Sequence, residues 1–327
     1  MIAAIGAFDG FHAGHRILLE ETGKLARQNN TEWAVVTFSP HPDVYFDKNV
    51  RLLFSDYEKS AEANFLKIPE VIKLPFEQIC NMRPEDFLEM LAKEYSVSGI
   101  VVGKDFRFGR NASGDGFLIR SFCIDKALLC SIIETLKYQD GPENGNKVSA
   151  CVLREWLRDG RINDLRNALK FPCPLSGIVV HGEGRGVKIG FPTINILTSA
   201  EKMLPAEGVY VVSVLTDIGW RAGALFVGVP SMFEDVKETR VEVHISGFCG
   251  DLYGRRVTVF LEEFVRPPMI FSDESRLARD IELCVEKAAR VFNANHSLND
   301  ELYRELRNAF SDSHTLRQRV SQRQSIH

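Results

Sequence analysis

The sequence predicts an α/β protein in two parts: a parallel sheet with helices on both faces, then a small antiparallel β-barrel closed off by a terminal helix. Three observations carry this. At 327 residues the chain exceeds one typical domain and suits two, each able to bury a core. Up to about residue 170, strand-like and helix-like segments alternate, as βαβ units do. Beyond Phe171-Pro172-Cys173-Pro174 the pattern becomes a run of β segments. The resulting division is 1–170 for the first domain, 171–175 for the linker, 176–292 for the second domain and 293–327 for a polar, partly disordered tail.

Taken in order, the apolar Met1 to Phe8 reads as a buried strand and Arg16 to Arg27 as an amphipathic helix. Trp33 to Phe38 is a second strand, Tyr57 to Leu66 and Pro84 to Glu94 are helices, and Gly99 to Val102 is another buried strand. A helix follows Ser149, Gly160 stops it, and another runs from Ile162 to Leu169. In the second part the β segments are Leu175 to His181, Gly208 to Leu215, Ala222 to Val229, Arg240 to Ile245 and Arg256 to Phe264. Several alternate apolar and polar residues, the mark of half-buried antiparallel strands. One amphipathic helix follows from about Glu274 to Phe292, and a short helix is expected at Asp300 to Phe310.

Composition narrows the function classes. The net charge of −4 argues against non-specific nucleic-acid binding, which needs a basic footprint. Seven scattered cysteines, odd in number and never spaced Cys-x-x-Cys, read as reduced, buried thiols of a cytoplasmic protein. The chain opens on a strand without a leader pattern, and no apolar run is long enough to span a bilayer.

The densest chemical signal is Ile5-Gly6-Ala7-Phe8-Asp9-Gly10-Phe11-His12-Ala13-Gly14-His15. It sets two histidines at a strand-to-helix turn, where orphan N–H groups and the positive end of the helix dipole favour anions. Neither the P-loop nor the dinucleotide fingerprint is present. A zinc site lacks a third ligand, and a mere helix cap remains the bland alternative for one histidine. Gly6, Phe8, Asp9 and Gly14 belong to this phosphate-binding pattern. His41, flanked by prolines, reads equally as a nucleotide contact or a rigid turn.

Phe106, Arg107, Phe108 and Arg110 alternate aromatic and cationic groups after a strand, able to stack a flat ring and grip a phosphate, or to anchor a loop in the core. Ser149 with Arg154 at a helix start offers a second phosphate contact; an ordinary cap and a surface Arg are the alternative. In the second part, Gly182, Gly184, Arg185 and Gly186 form a glycine-rich loop, followed by Gly190-Phe191-Pro192-Thr193-Ile194-Asn195. The Thr193 hydroxyl and Asn195 carbonyl are hard oxygen ligands suited to Mg²⁺ beside a triphosphate. Alternation in Val241-Glu242-Val243-His244-Ile245 puts Glu242 and His244 on one face, where Glu242 is a candidate base or a solvated strand residue.

These segments, in this order and over nearly all of the chain to about Phe292, resemble the bacterial bifunctional riboflavin kinase and FAD synthetase. The resemblance implies a Rossmann-like nucleotidyltransferase domain followed by a riboflavin kinase barrel. The barrel would pass the γ-phosphoryl of ATP to riboflavin, giving FMN, with Glu242 as base and Thr193 and Asn195 on Mg²⁺. The first domain would join FMN to the α-phosphate of a second ATP, giving FAD and pyrophosphate, with His12, His15, Arg154 and Mg²⁺ stabilising charge and Phe106 to Arg110 holding the flavin. Several positions depart from the family pattern. Ala150 and Cys151 replace two hydroxyl residues after Ser149, Ala7 replaces an Asn, Phe226 to Ser231 lack the usual Asn and Arg, and Pro268 stands where a Glu is usual. Two further readings follow: a riboflavin kinase with a degenerate first domain, and a flavin- or nucleotide-binding regulator without turnover.

Overall fold

The computed structural model describes residues 1–137, 145, 147–229, 239–311 and 317–320. Contacts divide the chain into two compact units, the first comprising residues 1–50, 62–150 and 314–327, the second residues 51–61 and 151–313.

The first unit is the expected doubly wound sheet. Its elements are β1 (Ile2–Ile5), α1 (Ala13–Gln28), β2 (Trp33–Ser39), α2 (Pro42–Phe46), the end of α3 (Asp56–Phe65), β3 (Glu70–Pro75), α4 (Phe76–Ile79), α5 (Pro84–Glu94), β4 (Gly99–Gly103), α6 (Gly116–Asp125) and β5 (Leu129–Ile133). The strands are parallel, and β1 lies between β2 and β4. From β1 the chain winds one way through β2 and β3, then returns to the other side for β4 and β5, which makes β1/β4 a topological switch point. Ligands of such sheets sit beyond the carboxyl ends of the strands at that point. The centre of the sheet is buried on both faces, so β1 and β4 read as unbroken apolar runs: Ile2, Ala3, Ala4 and Ile5, and Ile100, Val101 and Val102, are all at most 1% exposed. The first strand stops at Ile5, short of the expected Phe8, because Phe8 takes a left-handed φ of 52° that no strand accommodates.

The second unit holds α7 (Ala150–Arg158), α8 (Ile162–Leu169), β6 (Cys173–Val180), α9 (Arg185–Lys188), β7 (Thr193–Thr198), β8 (Gly208–Thr216), β9 (Gly219–Gly228), β10 (Arg240–Ile245), β11 (Arg256–Arg266), α10 (Glu274–Leu298) and α11 (Asp300–Ser311). Six strands close into an antiparallel barrel in the order β10-β7-β6-β11-β8-β9. Closure removes the free edges that a five-strand sheet would leave. The sixth strand is β7, whose first residues, Thr193 to Asn195, fall in the segment expected to be a phosphate loop.

The boundaries differ from the expected ones, for identifiable reasons. Helices α7 and α8 bury Leu153, Trp156, Leu157, Leu165 and Leu169, and Arg166 of α8 bonds Glu262 of β11 at 2.8 Å, which ties both to the barrel. Residues 51–61 join the same unit. There the buried Glu58 meets the buried Lys202 at 2.9 Å and accepts from the Ser55 and Ser176 N–H groups, while Lys202 donates to the Leu53 and Pro174 carbonyls. A buried ion pair with its oxygens and protons bonded avoids the several-kcal/mol desolvation loss of an unsatisfied one.

The segment beyond Phe292 is ordered farther than expected. Helix α10 continues to Leu298, and α11 buries Tyr303, Leu306, Ala309 and Phe310, one apolar stripe at helical spacing. Both helices are anchored at the buried Glu262, which accepts from Tyr303 (2.5 Å), Ser213 (2.7 Å), Arg166 and Asn295 (2.8 Å each). Residues 317–320 form β12 (Arg317–Val320), a parallel edge strand of the first sheet beside β3. No helix among the described residues is long and apolar enough to cross a membrane.

Candidate active sites

The histidine turn lies beyond the carboxyl end of β1, at the switch point. His12 is the N-cap of α1 and is 5% exposed; its Nδ1 accepts from the His15 N–H at 3.4 Å. The His15 Nδ1 donates to the Gly10 carbonyl at 2.7 Å, and the two imidazoles stack at 3.7 Å. Burial above all, then the neighbouring His15 and Lys147, holds the His12 pKa well below the ordinary 6.5. With Nδ1 accepting, a neutral His12 carries its proton on Nε2. The turn thus offers a neutral donor at a helix N-terminus, a geometry that suits an anion.

The other residues of this motif divide by burial. Phe8 and Asp9 are buried, and Phe8 packs against Phe11 (5.2 Å between centroids) and His15 (4.9 Å). Their side chains are parts of the turn's framework, which leaves backbone N–H groups and imidazole as the groups able to meet an anion here. Gly6 and Gly14 make room: a Cβ on Gly6 would come within 3.1 Å of the Phe8 ring, and one on Gly14 within 3.2 Å of the His12 ring. His41 caps α2 through its Nδ1, 3.1 Å from the Asp43 N–H, which is the rigid-turn role.

The loop after β4 opens at the same sheet edge. Phe108 is 7% exposed and packs on Phe87, so it anchors the loop rather than presenting a free face. Phe106 is half-buried and stacks on Phe108 at 5.5 Å. Arg107 pairs with Asp115 at 3.0 Å, and Arg110 donates to the Asn81 carbonyl at 3.1 Å. Gly109 is obligatory in this bend: its φ is 70° and a Cβ would lie 2.8 Å from Pro84. Ser149 immediately precedes α7 and belongs to the first unit, whereas Arg154 lies within α7 in the second, its Nη2 3.4 Å from the Cys151 Sγ.

The barrel site is a cavity of about 360 Å³ between the strands and α10. Register brings its chemistry together. Glu242 of β10 lies opposite Asn195 of β7, and His244 opposite Thr193, so all four share a face. The Thr193 hydroxyl donates to Glu242 at 3.5 Å. Arg240, two residues before Glu242 and on the same face, bonds Glu183 at 2.5 Å and stands 3.7 Å from Glu242. Burial raises the Glu242 carboxyl above its usual range, against the opposing pull of Arg240 and Thr193. A carboxylate with a raised pKa is the better proton acceptor.

The glycine-rich loop is shaped around these groups. A Cβ on Gly182 would lie 2.0 Å from the Asn195 amide, one on Gly186 would lie 2.3 Å from the Phe191 carbonyl, and Gly184 takes a φ of 66°. Arg185 contributes its backbone to α9; its side chain lies outside the described residues. His244 Nδ1 donates to the Pro192 carbonyl at 2.9 Å and so fixes the start of β7. The roles of Arg240 and His244 went unread in the sequence, although alternation about Glu242 was the available signal. Among the described residues no cluster of His, Cys, Asp and Glu has the make-up of a metal site. The hard oxygens here are Thr193 and Asn195, two uncharged donors that fit a divalent ion whose remaining ligands come from phosphates and water.

Comparison with known proteins agrees with this two-part arrangement. A family model described as FAD synthetase matches residues 1–145, and one described as riboflavin kinase matches residues 169–292. The bifunctional riboflavin kinase/FMN adenylyltransferase of Escherichia coli K12 is 30% identical over 301 residues, covering 89% of this chain and 92% of that protein. The protein of the same description from Buchnera aphidicola subsp. Schizaphis graminum is 30% identical over 297 residues, covering 89% and 93%. A crystal structure described as a macrolide-efflux protein from Streptococcus pneumoniae superposes with a TM-score of 0.78 at 26% identity, over 88% of this chain and 93% of that one.

Proposed function

The chain belongs to the bifunctional riboflavin kinase/FMN adenylyltransferase family, and we propose that its two units catalyse successive transfers, riboflavin to FMN in the barrel and FMN to FAD at the histidine turn. The observation that carries the reading is the cross-strand set in the barrel: a half-buried carboxylate with a raised pKa, a hydroxyl and an amide carbonyl beside a glycine-rich loop.

In the barrel, Glu242 takes the proton of the ribityl 5′-hydroxyl as that oxygen attacks the γ-phosphorus of ATP; ADP leaves. Mg²⁺ bound with ATP supplies charge neutralisation on the phosphates. Thr193 and Asn195 would hold it, while Gly182, Gly184 and Gly186 let the backbone come close to the phosphate chain. Arg240 balances the charge of Glu183 and keeps Glu242 oriented.

At the turn, a phosphate oxygen of FMN attacks the α-phosphorus of ATP and pyrophosphate leaves. This nucleophile is already ionised near neutral pH, so the site needs no base. His12 donates from Nε2 to the phosphate, and the α1 N-terminus and His15 add to the field. Phe106 offers a ring face to the flavin, with Arg107 and Arg110 at the loop's flanks. The seven thiols, none in a disulfide, suit the reducing cytoplasm, although Cys151 and Cys249 are exposed where burial was expected.

A steady-state assay with FMN, ATP and Mg²⁺ tests the second transfer, where Ala150 and Cys151 depart from the family. FAD and pyrophosphate should appear in equal amounts. Their absence at high enzyme, with FMN still formed from riboflavin, would leave a riboflavin kinase alone.

A further inference from the structure

The barrel cavity carries polar groups at both ends of one cross-strand row. Register aligns Arg266 of β11 with Val209 of β8, Val209 with Phe226 of β9, Phe226 with Glu242 of β10, and Glu242 with Asn195 of β7. All five line the cavity. Adjacent strands lie about 4.8 Å apart, so the three steps from Glu242 to Arg266 cover about 14 Å along the wall. Between those ends the row is apolar, Val209 and Phe226. The cavity therefore fits a flat apolar body with a hydroxyl at one end and a hydrogen-bonding edge at the other.

What the far end presents is Asp280 of α10. Arg266 grips both of its oxygens, through Nε to Oδ1 at 3.3 Å and through Nη2 to Oδ2. The remaining Nη1 donates to the Pro267 carbonyl at 3.0 Å, and the guanidinium lies over the Phe271 ring at 5.4 Å. The arginine thus holds the aspartate by two of its nitrogens and is itself held by the third. Asp280 Oδ2 also accepts from the Cys284 thiol at 4.0 Å, so the further lone-pair direction toward a ligand is that of Oδ1, and an ionised carboxylate only accepts. Pro267 and Pro268 supply neither a backbone N–H nor an acid at this rim. Glu274 also borders the cavity but is exposed at the start of α10. The complementary ligand edge is an N–H donor.

Riboflavin carries such a donor, the imide N–H of its outer pyrimidine ring, whereas the ribityl chain with its terminal hydroxyl leaves from the central ring. We propose that Asp280, held by Arg266, is the specificity-determining acceptor for that imide N–H when the barrel phosphorylates riboflavin, an inference that rests on the kinase reading of the cavity.

The test compares riboflavin with N3-methylriboflavin, which lacks the donor, on the full-length enzyme and on Asp280→Ala and Asp280→Asn. A hydrogen bond to a charged group predicts a kcat/KM about 10- to 100-fold lower for the methylated flavin in the wild type, chiefly through KM. In Asp280→Ala, riboflavin should lose a similar factor while N3-methylriboflavin holds steady, so discrimination collapses towards one. Asp280→Asn, which keeps the shape and an acceptor carbonyl, should discriminate to an intermediate degree. Equal use of both flavins by the wild type would overturn the proposal, as would wild-type discrimination surviving in both variants. Failure of the wild type to phosphorylate riboflavin at all would instead overturn the kinase reading beneath it.

Discussion

The histidine turn of the sheet unit and the cavity of the barrel unit, the two sites proposed for a triphosphate, differ in that burial pushes their key groups in opposite chemical directions. At the turn, burial lowers the His12 pKa and leaves a neutral donor. In the cavity, burial raises the Glu242 carboxyl and leaves a stronger base. One physical cause, loss of solvent around the charged form, serves two needs. A hydroxyl nucleophile must lose a proton, so its site holds a base. A phosphate nucleophile is already charged, so its site holds donors and no base.

The largest expected effect breaks the barrel side alone. Glu242→Gln keeps the hydrogen-bonding shape but removes the base, and should slow FMN formation from riboflavin by about 10²- to 10⁴-fold while FAD formation from FMN is unchanged. Replacing His12 with Ala addresses the other side. Loss of one preorganised donor should cost about 10²- to 10³-fold in FAD formation, and riboflavin phosphorylation should keep its wild-type rate.

A pH profile sharpens the same contrast. Glu242 acts when ionised, and its pKa is raised, so kcat/KM for riboflavin should fall with acidification through a limb lying above pH 4.5. Glu242→Gln should remove that limb along with most of the rate.

A smaller effect concerns the support of the barrel. His296 stacks on Tyr303 at 3.6 Å, faces Trp220, and has its pKa pushed down to about 4 by burial, with Asp300 pulling the other way. The unfolded chain takes up a proton near 6.5 that the folded one refuses. Stability is therefore full above about pH 6.5 and is lost as pH falls towards 4, by at most about 3 kcal/mol and by less for a half-buried ring that solvent partly screens. His296→Gln should flatten that dependence when unfolding is followed by tryptophan fluorescence, because Trp220 bonds the Tyr303 carbonyl at 3.1 Å.

Much of this contrast was legible in the sequence because its signals are local. The histidine turn spans eleven residues, and the pairing of Glu242 with His244 needs only a period of two. Strand β7 is masked in the sequence because Gly190-Phe191-Pro192 carries turn chemistry up to Thr193, where pairing with β10 begins. For Phe108 the sequence leaves flavin stacking and core anchoring both open, because its contact with Phe87 of another element is not visible locally. The row from Arg266 to Asn195 joins five residues on five strands, and nothing in the local pattern of any of them fixes the register. The anchoring of α11 was half visible: its apolar stripe can be counted, but Glu262, the group it docks on, lies 41 positions before Tyr303.

The separation of the two chemistries is tested most directly by mixing the two variants. Glu242→Gln alone and His12→Ala alone should each convert riboflavin and ATP to FAD only at a small fraction of the wild-type rate. Combined in one tube, they should restore FAD formation, since FMN made by one protein is adenylylated by the other. A mixture no more active than its parts, with both proteins folded, would contradict two self-sufficient sites.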